Sequence, residues 1–287
     1  MATKCKRKVE IPGASSKLGK PKTTAAAAAE LYPNHPRPTP EECRSVRDHL
    51  LSLHGFPQEF ARYRKNKVIH DSPDPSKPFF GEDGSDETIT RKEGVLDGLV
   101  RTLLSQNTTD SNSTKAFASL KSSFPTWEDV LAAETKCIQD AIKCGGLAAT
   151  KASCIKNILS SLLEKRGKIC LEYLRGMPVD EIKAELCCFK GIGPKTVACV
   201  LMFYLQQDDF PVDTHVFRIG KAIGWVPQGA DREKAYHHLN KRIPNELKFD
   251  LNCLLITHGK LCQRCTKKGS NNQRRTPHHT CPLFNYG

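Results

Sequence analysis

Apolar residues recur with a period near 3.6 from Gly94 onward, and strand-like alternation is nearly absent. The pattern predicts helices over about 92–105, 111–123, 127–134, 136–143, 149–166, 179–188, 194–206, 214–224, 231–243 and 247–259. Half of them start directly behind Asp, Thr or Pro, at Asp110, Thr126, Thr135, Pro178 and Asp213, residues that cap or open helices. Upstream, Thr39-Pro40-Glu41-Glu42 reads as a further start, with Thr at the cap, Pro in the first turn and Glu three residues later. That helix is expected to run to Gly55. Residues 66–91, rich in Pro, Asp, Ser and Gly, read as a connecting loop. The fold class is all-α.

Residues 1–38 read instead as a disordered basic tail, with Lys4, Lys6, Arg7 and Lys8, an alanine run and a Pro-rich end. The cluster KCKRK serves either nuclear import or non-specific DNA contact, and the expected compartment is the nucleus, an organelle being the alternative. Over 287 residues, 44 Lys and Arg face 31 Asp and Glu, a formal charge of +13 with a pI near 9.2. Such a balance favours a polyanionic partner. No apolar run approaches the ~20 residues of a spanning helix, and mean hydropathy is -0.47, so a membrane partner is not expected. The 13 Cys suit reduced thiols, with or without a metal site, better than a disulfide framework.

The most informative stretch is ELCCFKGIGPKTVACVLMFYLQQDDFPVDTHVFR, from Glu185 to Arg218. Gly191-Ile192-Gly193 predicts a tight turn in which Ile192 plugs inward between two glycines. Pro194 then opens a second helix, whose unpaired N–H groups can meet a phosphate. Taken alone, Gly-x-Gly between helices is more often a simple turn than a DNA contact. Lys195 falls in the first turn of that second helix, where partial burial would favour a neutral, nucleophilic amine. Asp213 reads as the N-cap of the helix that begins at Thr214, a role compatible with a second one as a carboxylate facing the lysine.

In this order, K-G-I-G-P-K-T followed by P-V-D-T-H-V-F-R resembles the helix-hairpin-helix-Gly/Pro-Asp signature of the DNA glycosylases. Upstream, LLSQNTTDSNSTKA resembles the corresponding part of endonuclease III, and FPVDTHVFRIGKAIGWVP is similar to the plant DNA-demethylating glycosylases. The resemblance runs from about Leu96 to Cys265. It implies Lys195 as catalytic nucleophile and Asp213 as catalytic carboxylate. It implies DNA contact by Gln106, Asn107, Lys190, Gly191, Ile192, Gly193 and His215, with Gln106 entering the gap left by an extruded base. Asp110 is implied as a pocket-side acid.

By the same resemblance, two helical domains flank a DNA-binding cleft. A helical barrel covers 92–207 and ends in the hairpin. A second domain covers 208–287, and an N-terminal helix and loop, 39–91, pack on it. The implied activity is base-excision glycosylase with AP-lyase chemistry, acting as a monomer on double-stranded DNA that carries a damaged or modified base. Which base is removed stays open. A helix-hairpin-helix protein that binds DNA without turnover is the alternative, although a pure binder needs no pairing of Lys195 with Asp213. A basic protein of RNA or of a membrane surface would leave that pairing unexplained.

The chemistry requires no cofactor. Endonuclease III-like members nevertheless end in C-x6-C-x2-C-x5-C, which holds a [4Fe–4S] cluster. Here His258-Gly259 leads only to Cys262, Cys265 and, after a basic stretch, Cys281. Three cysteines at that spacing put the cluster in doubt. Joined by His278 or His279 they would make a Cys3His zinc site, and a site without metal is the remaining alternative. Cys253, on an apolar helical face, reads as core.

Overall fold

The computed structural model describes residues 31–64, 93–265 and 281–286. The basic cluster at 4–8, the loop at 66–91, and His278 and His279 lie outside the described residues. Among those described there is no β-strand, and no helix is long and apolar enough to cross a membrane. The helices are α1 (Pro40–His54), α2 (Gln58–Ala61), α3 (Val95–Leu104), α4 (Asp110–Ser123), α5 (Trp127–Ala132) and α6 (Thr135–Ile142). They continue as α7 (Ala148–Arg166), α8 (Val179–Cys187), α9 (Pro194–Cys199), α10 (Thr214–Ala222), α11 (Arg232–Arg242) and α12 (Asn245–Leu261).

Local signals set these boundaries. The Thr39 hydroxyl accepts the Glu42 N–H while the Glu42 carboxylate accepts that of Thr39, closing the capping box of α1. Gly55 ends that helix at φ 64°, left-handed backbone that favours glycine. Asp213 and Asp231 cap α10 and α11 through side-chain oxygens. The span expected as one helix over 194–206 departs from regularity. Past Cys199 its turns widen over Val200–Tyr204, and the Leu205 N–H donates to Val200 O, five residues back, at 3.0 Å.

Buried apolar side chains gather in two clusters. The first is built from α3 to α9 and includes Leu99, Leu103, Ile155, Ile158, Leu186 and Ile192. The second joins Cys43, Val46 and Leu50 of α1 to α10, α11 and α12 and to Cys281 and Leu283. The chain crosses between them at 206–213, where polar side chains take up its backbone. Asn240 donates to Phe210 O and Asn252 to Pro211 O, at 3.1 and 2.8 Å. Asp209, buried, accepts from Tyr236 at 2.9 Å and pairs with Lys183 at 3.2 Å, so one carboxylate grips α11 and α8. Together these bonds hold the crossing in one geometry. This crossing delivers Asp213 to the boundary between the clusters.

Candidate active site

Lys195 sits in the first turn of α9 and Asp213 caps α10, and both line a single cavity of about 540 Å³. Asn107, Asp110, His215, Cys199, Asn252 and Lys260 share its wall. Lys195 is exposed rather than partly buried, because the first turn of α9 projects from the hairpin and its next three residues, Thr196 to Ala198, take the inward positions. The Asp213 cap is made by Oδ1, which accepts the Val216 N–H at 2.7 Å. Its other oxygen makes no hydrogen bond among the described residues.

Cys199, one turn past Lys195, feels both groups. Burial pushes its thiol up to about 12, with the Lys195 ammonium opposing and the Asp213 carboxylate reinforcing. His215 is held below its ordinary value by burial, the Asp213 carboxylate acting in the other direction. Asn252 is buried and donates to Pro211 O, which leaves its Oδ1 without a partner among the described residues.

Two glycines of the hairpin serve different ends. Gly191 has φ 90°, and a Cβ there would lie 2.3 Å from Cys154 Sγ, so the fold itself requires glycine. Gly193 has ordinary backbone, and a Cβ there would meet nothing within 4 Å. Its bareness faces outward and does nothing for the packing. Ile192 is buried against the first cluster, so a DNA partner could meet only its backbone. Lys190 is exposed beside it.

Gln106 lies past the end of α3 and donates to the Thr196 hydroxyl at 3.0 Å, directly behind Lys195 in sequence. Its side chain is thus bound to the hairpin, and entering a vacated base position requires breaking that bond. Asn107 follows with φ 52°, a conformation asparagine tolerates. A buried lysine fixes this whole corner. Lys151 donates to Leu104 O and Gly145 O, both at 2.8 Å, satisfying a carbonyl at the end of α3. Asp110 opens α4 and pairs with Lys260 of α12 at 2.5 Å.

The sequence does not disclose the aromatic side of the cavity. Phe60 stacks on Phe203 with centroids 5.6 Å apart and planes at 16°. Tyr63 packs edge-on to Phe203 and Tyr204, and its hydroxyl meets that of Tyr204 at 3.2 Å. All four line the cavity. A four-residue α2 has too few turns to show a period, and the widened turn of Val200–Tyr204 shifts the register of the Phe203 side. Gly98 has no room for a side chain here, since a Cβ would lie 2.3 Å from the Tyr204 ring.

A wall of polar and charged groups facing aromatic rings suits a planar, hydrogen-bonding guest. Known proteins are similar to this chain in sequence and in fold. The model of the HhH-GPD superfamily, base excision DNA repair proteins, matches residues 100–245. An Arabidopsis thaliana protein that carries a provisional name as a DNA glycosylase is 58% identical over 265 residues, covering 89% of this chain and 88% of that protein. The DNA glycosylase/AP lyase ROS1 of Arabidopsis thaliana is 33% identical over 162 residues, which cover 50% of this chain but 12% of ROS1. Endonuclease III trapped as a covalent intermediate with DNA has a similar fold: TM-score 0.61 at 21% identity, covering 86% of this chain and 95% of that one.

Proposed function

This chain belongs to the HhH-GPD superfamily of base excision DNA repair proteins and is a DNA glycosylase of that superfamily, and on that premise we propose that it excises a damaged or modified base through covalent attack by Lys195 and then cleaves the strand as an AP lyase. One observation carries the reading. Lys195 and Asp213, contributed by either side of the crossing segment, line the same cavity.

The target nucleotide leaves the duplex stack at a cost of a few kcal/mol. The Lys195 amine, once neutral, attacks C1′ of the sugar. The glycosidic bond breaks and its electron pair departs with the base, which takes up a proton. Positive charge gathers on the sugar as this happens, and the Asp213 carboxylate stabilises it. Opening of the sugar ring with loss of the amine proton gives a Schiff base. Removal of a C2′ proton then expels the 3′ phosphate by β-elimination, and hydrolysis returns the amine. Asp213 or a water it orients is suited to the proton transfers. The aromatic side of the cavity offers faces on which a flipped base can stack.

The hairpin holds the backbone. The head of α9, where Gly193 leaves open space, suits a phosphate of duplex DNA. Borohydride reduction of the protein on duplex DNA containing an abasic site tests the nucleophile. The wild type is expected to leave a stable covalent adduct and Lys195→Gln none, with DNA binding retained. Undiminished trapping in that variant would refute the assignment. A duplex panel carrying oxidised pyrimidines, 8-oxoguanine, uracil, mismatches or 5-methylcytosine identifies the base.

A further inference from the structure

Behind the face of α12 that lines the cavity lies a second cluster of reactive side chains. His258 stands in the last turn of α12, Cys262 follows directly after it, Cys265 comes one turn later, and Cys281 returns from the C-terminal segment. The ligand atoms of all four lie within 4.8 Å of one another. Cys265 Sγ and Cys281 Sγ are 3.9 Å apart, and Cys281 Sγ is 3.5 Å from His258 Nε2.

These separations discriminate between metals. Around one tetrahedral zinc, two thiolates at ~2.3 Å subtend an edge of about 3.8 Å, and a thiolate with an imidazole nitrogen at ~2.0 Å one of about 3.5 Å. Both observed distances agree with those edges. A [4Fe–4S] cubane needs four thiolates, each on a different iron, so its ligand atoms stand farther apart than around a single ion. From His258 onward the cysteines are Cys262, Cys265 and Cys281 alone. Cys253 is buried in the second core cluster's helix, five residues before His258, and is not one of the group. With three thiols and one imidazole, this group does not fit the four-thiolate cluster of endonuclease III-like relatives.

We propose that His258 Nε2 and the thiolates of Cys262, Cys265 and Cys281 bind one zinc ion, and that His54 orients the histidine ligand. His54 Nε2 lies 2.9 Å from His258 Nδ1. With Nε2 on the metal, Nδ1 carries the proton and donates it to His54, which fixes the tautomer and turns the ring. The expected partners His278 and His279 are not needed, since the described residues already supply four ligands. Four protein ligands leave no open position, so the site is structural. It joins three parts of the chain that are far apart in sequence: the end of α1, the end of α12, and the segment 281–286. That segment is further tied to α1, the Tyr286 hydroxyl meeting Ser45 Oγ at 2.5 Å and His49 Nδ1 at 3.0 Å.

The site also bears on the cavity. Ile256 and Lys260 line the cavity from one face of α12, and His258, two residues from each, lies about half a turn round the helix. Zinc would hold the back of the helix whose front carries Lys260.

Elemental analysis of the full chain, produced in medium containing both iron and zinc, decides the matter. The expected result is one zinc per chain, with little iron and no acid-labile sulfide. Cobalt exchanged into the site should give strong tetrahedral ligand-field bands with thiolate charge transfer. Cys281→Ser should lose the ion, and His54→Ala should keep it with about 10–100-fold weaker retention against a chelator. If Cys281→Ser does not accumulate, the wild-type metal content and the His54→Ala titration still decide. Iron with acid-labile sulfide in stoichiometric amount, or metal-free protein whose melting ignores zinc and chelator alike, overturns the proposal.

Discussion

Lys260 Nζ and Asp110 Oδ2 meet at 2.5 Å across 150 residues of sequence, joining the head of α4 to the last turn of α12 at the wall of the cavity. The pair links an element of one core cluster to an element of the other at the cavity. Its side chains are 77% and 32% exposed for Asp110 and Lys260. A bridge that open is worth at most about 1 kcal/mol in stability.

Its value should therefore appear in function. Asp110→Asn is expected to leave stability within about 1 kcal/mol of wild type. Base excision should nonetheless fall by roughly tenfold or more, because Lys260 loses its anchor and the cavity loses a charge. Thermal melting and single-turnover excision check this together. Native excision in Asp110→Asn would make the pair a surface ornament.

Asp213 carries a cap and, on our reading, a catalytic charge, which two substitutions separate. Asp213→Ala removes the acceptor from the Val216 N–H and should cost about 0.5–2 kcal/mol. Asp213→Asn keeps an acceptor oxygen and should melt near wild type, yet lose at least about a hundredfold in excision. If Asp213→Asn excises at the native rate, the residue is a cap alone.

The two hairpin glycines should respond differently. Gly191→Ala strains a left-handed backbone and drives a methyl into Cys154, so it should lower stability. Gly193→Glu enters open space and should melt normally while weakening binding to every duplex sequence alike, through bulk and repulsion of phosphate. Wild-type affinity should drop steeply between about 50 and 200 mM salt as counterions are released. Duplex titration by fluorescence anisotropy measures both effects.

Acid should destabilise the fold through His238. Burial lowers its pKa from the ordinary 6.5, despite the hydrogen bond to Arg37 O at 2.7 Å. Between that value and the lower folded one, the unfolded chain binds a proton that the folded chain refuses, so stability falls as pH falls. Melting should be level near pH 7 and decline below about 6.5, and His238→Gln should flatten the decline. An equally steep slope in that variant would assign the proton elsewhere.

Where a helix begins behind a capping side chain its start was legible in the sequence, because such a cap is made within three residues: Thr39 with Glu42, Asp213 with Val216, Asp231 with Lys234. The hairpin was legible for the same reason, since Gly191, Ile192, Gly193 and Pro194 dictate a turn locally. So was the all-α class, which a 3.6-residue period expresses one helix at a time. The relations that make a site were not. Asp110 could be singled out, but not its partner Lys260. Three cysteines could be grouped, but not with His258, since Cys281 reaches its ring only by the return of the C-terminal segment. Lys195 could be placed on its helix, but its exposure depends on how α9 packs. Phe60 and Tyr63 reach Phe203 and Tyr204 over a chain separation of about 140 residues that no local pattern spans. Caps and periods are settled by neighbours in sequence, whereas ion pairs, ligand sets and cavity walls are settled by the docking of two cores, and only the folded chain brings those surfaces together.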